Sequence, residues 1–412
     1  MTRLAVALEA ALDPGIAARS LAAAIEAALG EADAISGAFV FATAAAGASG
    51  EAVGRDLASR WPAATLLGTS FEGLVLDGRV WQGEPAVAVL AWTAGPGAPV
   101  PIVCEVGGRD PDGLAKEIAS AGEQVVPGPD DLVLLFPDAL GPPVLRPLLD
   151  RFSPTFGGPA LAGAAASGID GEAASTWADP GQPGEPDLLV GLLIPGAPAR
   201  IRCAGATRLA SPWLEVSARR PHWIDALEGE PPSLWIRRQL GLDDDAPLEP
   251  HLDRLLLRLT GPPPATGRHA ERHAPEAEPE AFDELFITGL DPRRGAVGIM
   301  GSVVRGDRVA LALPDAAFAR EHLRAAVADL PDSPLVFQIA CPSRGESLHG
   351  DPDVEAAVVA DQAAGRRVLG VVAPFQLGSD LSGTARLRVH STVLVALGPG
   401  GPSAKFESGS SN

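Results

Sequence analysis

Three times along this chain an apolar strand runs into an aspartate that can cap a helix, and a second and third strand follow. The aspartate stands at a nearly constant distance from a glycine in the third strand: Asp13 to Gly68, Asp110 to Gly163 and Asp315 to Gly370, or 55, 53 and 55 residues. An Asp ahead of a helical stretch satisfies an amide of the first turn, and Pro beside it suits the first helical position. The first copy predicts strands at Leu4–Leu8, Ala38–Phe41, Ala64–Gly68 and Ala86–Leu90, with helices from Asp13 to about Leu29 and from Glu51 to Ser59. The second places them at Ile102–Cys104, Leu132–Phe136, Ala160–Gly163 and Leu188–Leu193, and the third at Val309–Leu313, Leu335–Phe337, Val368–Gly370 and Thr392–Ala396.

Strands alternating with helices in this way define an α/β protein with mostly buried sheets. The expectation is two halves, 1–200 and 201–400, built from repeated β-α-β-α-β-β units. Two stretches fall outside the pattern. Residues 261–280 are rich in Pro, Ala, Glu and Arg without hydrophobic periodicity, which predicts a mobile loop, and 401–412 reads as a disordered tail. Between 200 and 260, Trp213, Val216, Trp223, Leu227 and Trp235 predict strands and a helix that join the halves.

Composition excludes several classes of partner. A formal charge of −20 disfavours nucleic acid and anionic membrane surfaces. Mean hydropathy is +0.15, yet no apolar run is long enough to span a bilayer. The start, Met1-Thr2-Arg3-Leu4, lacks a basic leader, so a cytoplasmic protein is expected. Cys104, Cys203 and Cys341 are too widely spaced for a disulfide framework or a zinc site. His269 and His273 stand four apart but without a third ligand in sight, and no metal is expected.

The richest chemistry lies in Leu335-Val336-Phe337-Gln338-Ile339-Ala340-Cys341-Pro342-Ser343-Arg344-Gly345, followed by Val368-Leu369-Gly370-Val371-Val372. Ligands of open α/β sheets favour the carboxyl ends of strands. There Arg344 can hold a carboxylate, or pair with a loop acid such as Glu346 or Asp351. Cys341 is either a nucleophile, with His349 or His390 as base, or a small buried residue. Gly345 and Gly370 offer either close backbone approach to a ligand or tight turns. The turn around Gly68, Ser70 and Glu72, with Gly163, is a second candidate; it lacks the Gly-Lys-Ser/Thr ending of a phosphate loop.

These stretches resemble the FIST domain, a small-ligand sensory module with N and C halves. The resemblance is carried by Leu66-Leu67-Gly68-Thr69-Ser70-Phe71-Glu72-Gly73, Pro159-Ala160-Leu161-Ala162-Gly163, Ile224-Asp225-Ala226-Leu227-Glu228-Gly229-Glu230-Pro231, Leu285 to Pro292, Val304 to Val309 and Cys341 to Gly345. It implies a small-molecule ligand, anionic or amino-acid-like, and a separate signalling protein as output. Where the family has a Gly-Glu pair this chain has Phe375-Gln376, so Gln376 offers only a neutral hydrogen bond and Phe375 adds bulk. The expected site is Cys341, Arg344, Gly345, Gly370, Phe375, Gln376 and His390. No cofactor is required. The other readings are a Cys341-dependent hydrolase or transferase, a haem-based gas sensor with His390 as axial ligand, and a scaffold with a degenerate pocket.

Overall fold

Asp13 Oδ1 accepts the amide of Ile16 at 2.9 Å, Asp110 Oδ1 that of Gly113 at 2.7 Å, and Asp315 Oδ1 that of Phe318 at 2.9 Å. The three aspartates thus make the same capping bond. A computed structural model describes residues 2–10, 13–105, 110, 112–114, 116, 118, 128, 130–137, 149, 159–168, 174–178, 188–196, 201–261, 282–379 and 384–398. The stretches 262–281 and 399–412 lie outside the described residues, and with them nearly all of the expected loop and the whole expected tail.

Along the chain the elements are β1 (Leu4–Glu9), α1 (Pro14–Leu29), β2 (Ile35–Thr43), α2 (Ala48–Arg60), β3 (Thr65–Phe71), β4 (Gly73–Leu76), β5 (Arg79–Gln82), β6 (Val87–Thr93), β7 (Val100–Glu105), β8 (Leu132–Pro137), β9 (Ala160–Ala164), β10 (Leu188–Ile194) and β11 (Ile201–Gly205). They continue with β12 (Thr207–Leu209), β13 (Leu214–Arg220), β14 (Trp223–Leu227), α3 (Pro232–Leu240), β15 (Leu256–Thr260), β16 (Asp283–Asp291), β17 (Ala296–Ile299) and β18 (Arg308–Pro314). The last are α4 (Ala316–Ala328), β19 (Leu335–Ala340), α5 (Val354–Gln362), β20 (Arg367–Val372), β21 (Gln376–Ser379), β22 (Ala385–Arg388) and β23 (Ser391–Leu397).

One strand order occurs three times: β1-β6-β2-β3, β7-β10-β8-β9 and β11-β23-β19-β20. In each, the last two strands run parallel and the rest pair antiparallel. The expected fold class holds, with one change in the third copy. Its first strand is β11, whereas Val309–Leu313 is a strand of a different sheet. The chain therefore sorts into two units other than the expected halves, 1–205 with 320–412, and 206–319. An insertion between β11 and the third copy's helix is the reason; it leaves the Asp315 to Gly370 spacing intact while separating the first strand from that helix along the chain.

In the first unit the three sheets share one core. Phe39, Phe41, Phe71, Phe136 and Phe337 meet there with ring centroids 4.6 to 6.1 Å apart. Each such ring, fully buried, contributes about 1.5 to 3 kcal/mol. The opposite faces carry separate apolar layers, which on the first sheet include α1 and α2 and on the third α4 and α5. The sheets also interlock: β4 and β5 extend the third sheet beside β20, and β21 and β22 extend the second beside β9. Trp177 bridges Gly68 on the edge of the first.

The second unit is an antiparallel sheet in the order β12-β18-β13-β14-β17-β16-β15, and β18 also pairs β15, which closes it on itself. Its core gathers Val216, Ile224, Trp235, Leu257, Leu285, Val297 and Leu311. Arg258 and Glu284 pair inside it, at 3% and 6% exposure.

Candidate functional site

The glycines that the sequence places at strand ends lie inside strands, at one register position of each repeat. Val40 pairs with Gly68, Leu135 with Gly163 and Gln338 with Gly370. A Cβ on Gly163 would sit 2.0 Å from the Leu135 carbonyl oxygen, one on Gly370 2.2 Å from that of Gln338, and one on Gly68 2.1 Å from the Trp177 ring. These glycines permit close strand packing and do not make turns. Gly370 is paired on both sides, by Gln338 and Val75, which commits its backbone to the sheet.

The register also exposes an exception. Val40 and Leu135 are apolar and buried, and the equivalent residue on β19 is Gln338, 1% exposed. Its Oε1 is buried and has no hydrogen-bond partner among the described residues. Gln338 lines a small pocket at the carboxyl end of β19, together with Cys341, Arg344, Gly345, Glu355 and an apolar wall that includes Val75 and Val372. Its free space is about 20 Å³, room for a water or two.

Arg344 follows β19 in the turn Pro342–Arg344 and is 1% exposed. Its Nε lies 2.9 Å from both oxygens of Glu355, and Nη1 donates to the carbonyls of Ala204 at 2.8 Å and His390 at 3.1 Å. The acid is thus Glu355 on α5, neither Glu346 nor Asp351. Nη2 lies 2.7 Å from Glu355 Oε1 but makes no directed hydrogen bond, so that contact is ionic. Glu355 also accepts from Thr392 Oγ1 at 2.9 Å and from His349 Nε2 at 3.1 Å. Arg320 Nη1 donates to His349 Nδ1 at 3.2 Å, which puts the ring proton on Nε2. Burial pushes the Glu355 carboxyl up, and the Arg344 charge with the three hydrogen-bonding neighbours outweighs it, so the group titrates below its ordinary value.

Cys341 is 3% exposed, with Sγ 3.0 Å from Ser343 Oγ, and Ser343 Oγ lies 2.9 Å from His390 Nδ1. His390 has φ of 48° and is 6% exposed; burial, with the Arg344 charge behind it, lowers its pKa to about 4. A neutral imidazole of such low basicity is a poor general base for a neighbouring hydroxyl or thiol.

The other expected residues lie elsewhere. Phe375 packs on the outer apolar layer of the second sheet. Gln376 is fully buried on β21, donating Nε2 to the Ala373 carbonyl at 2.7 Å, with Oε1 unpartnered among the described residues. Neither lines the pocket. Ser70 Oγ donates to the Ser167 carbonyl at 2.9 Å and accepts from the Ser175 amide at 2.9 Å, and burial raises the carboxyl of Glu72. The structure therefore joins Cys341, Arg344, Gly345 and His390, and separates them from Phe375 and Gln376. Gln338, Ser343, His349 and Glu355 complete the cluster. Of these Gln338 had a signal in the sequence, a lone polar residue inside an apolar strand. Among the described residues no group of His, Cys, Asp or Glu is placed to hold a metal, and no helix is long and apolar enough to cross a membrane.

Fold and cluster together define a mixed α/β protein with a small, mostly apolar pocket that holds an unmet polar atom at the end of a parallel strand pair. Residues 37–209, from β2 to β12, match the FIST N domain, and FIST domains are a family of small-ligand sensory domains. Two uncharacterized proteins of Mycobacterium tuberculosis, one from strain CDC 1551 / Oshkosh and one from strain ATCC 25618 / H37Rv, are each 31% identical over 201 residues, 46% of this chain and 49% of the relative. The chain thus spans about half the length of the curated relatives it matches. A cyanuic acid hydrolase from A. caulinodans aligns over 96% of this chain and 99% of its own, at 11% identity and a TM-score of 0.32. A likeness of that score supports no inference here.

Proposed function

We propose that the protein is a FIST-type sensor that binds a small molecule in the pocket at the end of β19 and signals through a separate partner or a change of assembly. The observation that carries this reading is Gln338: at the register position shared by Val40, Leu135 and Gln338 it is the one polar side chain, its Oε1 has no partner among the described residues, and the residue lines a cavity. A buried acceptor without a partner costs about 1 to 3 kcal/mol, a penalty that a bound donor removes. The FIST N match supports ligand sensing as the class of function. Arg344 acts in this reading as a positioning residue, because its charge is spent on Glu355. The low basicity of His390 weighs against the Cys341 nucleophile, and its burial weighs against an axial ligand for haem.

Native mass spectrometry of the freshly purified protein, beside a thermal-shift screen of small metabolites, tests the reading. Val80→Phe narrows the pocket from its partly exposed strand β5. A retained or stabilising molecule is expected with the wild type and not with Val80→Phe. No molecule by either method, or one indifferent to Val80→Phe, contradicts it.

A further inference from the structure

Resting on the assignment of this pocket as the ligand site, we infer that it takes a short, uncharged molecule that both donates and accepts hydrogen bonds, an alcohol or primary amide, and that it rejects amino acids and carboxylates. Three features of the lining lead there.

The first is charge. Arg344 and Glu355 are the pocket's two ionic residues and they neutralise each other, with Nε 2.9 Å from both carboxylate oxygens. Thr392 and His349 take up further acceptor capacity of Glu355. A carboxylate ligand entering here meets Glu355, an ammonium meets Arg344, and neither finds an unpaired counter-charge. An additional buried charge without its own partner is strongly unfavourable.

The second is the pattern of unmet hydrogen-bonding atoms. Gln338 Oε1 is an acceptor without a donor, and Arg344 Nη2 is a donor without a directed acceptor. A hydroxyl or carboxamide supplies one of each. A purely apolar molecule supplies neither.

The third is size and wall. About 20 Å³ of free space encloses only the tip of a ligand, one or two heavy atoms, and Val75, Ala340, Ala356 and Val372 present a surface suited to a methyl or methylene group beside that tip. The register comparison argues that this chemistry is specific to the third sheet, because Val40 and Leu135 occupy the same position in the other two.

Saturation-transfer NMR on the full chain tests the inference with acetamide, ethanol and urea as neutral probes and acetate, glycine and methylammonium as charged ones. The wild type, Gln338→Leu and Val80→Phe are compared. Neutral probes are expected to receive saturation from the wild type, with affinity reduced about tenfold or more in Gln338→Leu, the equivalent of losing one hydrogen bond of about 1.4 kcal/mol. Charged probes are expected to show none. Gln338→Leu should melt at or above the wild-type temperature, so loss of binding is not loss of fold. Should charged probes bind in a Val80-sensitive way while neutral ones do not, the ligand class is wrong and the pocket assignment survives. Should no probe bind, or binding be indifferent to Val80→Phe, the pocket assignment falls and the inference with it.

Discussion

Arg344 and Glu355, 11 residues apart, form a nearly solvent-free ion pair in which Arg344 also reaches the backbone of Ala204 and His390. One side chain thereby ties the end of β19 to β11, to the start of β23 and to α5. Removing one partner leaves an uncompensated charge in the interior. Arg344→Ala should lower stability by about 3 to 5 kcal/mol in denaturant titration, whereas Arg344→Leu with Glu355→Leu should cost much less. Equal losses in the single and double variants would show that packing, not charge, holds this corner.

Acid should weaken the same corner in two steps. The folded-state pKa of His390, about 4, lies below its ordinary 6.5, so the unfolded chain takes up the proton first. Its contribution is complete above about pH 6.5 and is lost as pH falls toward 4, on the order of 3 kcal/mol in all. Glu355, also lowered, contributes above the ordinary carboxylate range and loses that contribution only as pH drops below it. Urea midpoints should therefore fall between about pH 7 and about pH 5, before carboxylates titrate. His390→Asn keeps a residue that tolerates the positive φ and should flatten that slope. Parallel slopes for the two proteins would place the titration elsewhere.

The paired glycines predict a severe and specific intolerance. Gly370→Ala and Gly163→Ala drive a methyl group to within 2.2 and 2.0 Å of a backbone oxygen, which cannot rotate away. Each should cost about 3 kcal/mol or more. Gly289→Ala, with nothing within 4 Å of the new atom, should stay within about 0.5 kcal/mol of the wild type. Thermal melts of the three variants decide the matter, and a mild Gly370→Ala would contradict the strand register described here.

Much of the repeat was legible because it rests on local chemistry. Asp13, Asp110 and Asp315 cap through bonds to residues three further on, and each glycine lies in the strand that pairs parallel in its copy. The partner of a strand is not local. Val309 to Leu313 has the composition of a first strand and directly precedes the capped helix, so nothing in its sequence shows that β11, more than a hundred residues earlier, takes that place. The exchange of β4 and β5 into the third sheet is hidden for the same reason. At the site, Arg344 was recognisable but its partner was not, because Glu355 sits on a helix where an acid ordinarily faces water. Phe375 and Gln376 follow closely on β20, the strand beside β19, and turn toward the second sheet instead.

The central claim is that Gln338 is kept for a ligand rather than for the fold, and the stability of Gln338→Leu measures this most directly. Leu stands at the equivalent position of β8. Replacing a buried, unpartnered carboxamide by an apolar side chain of similar volume should be neutral or raise the unfolding free energy by about 1 kcal/mol or more, while ligand-induced stabilisation disappears. A Gln338→Leu protein that is destabilised by about 2 kcal/mol or more, as a core disruption would be, or that keeps its ligand response, would contradict the account.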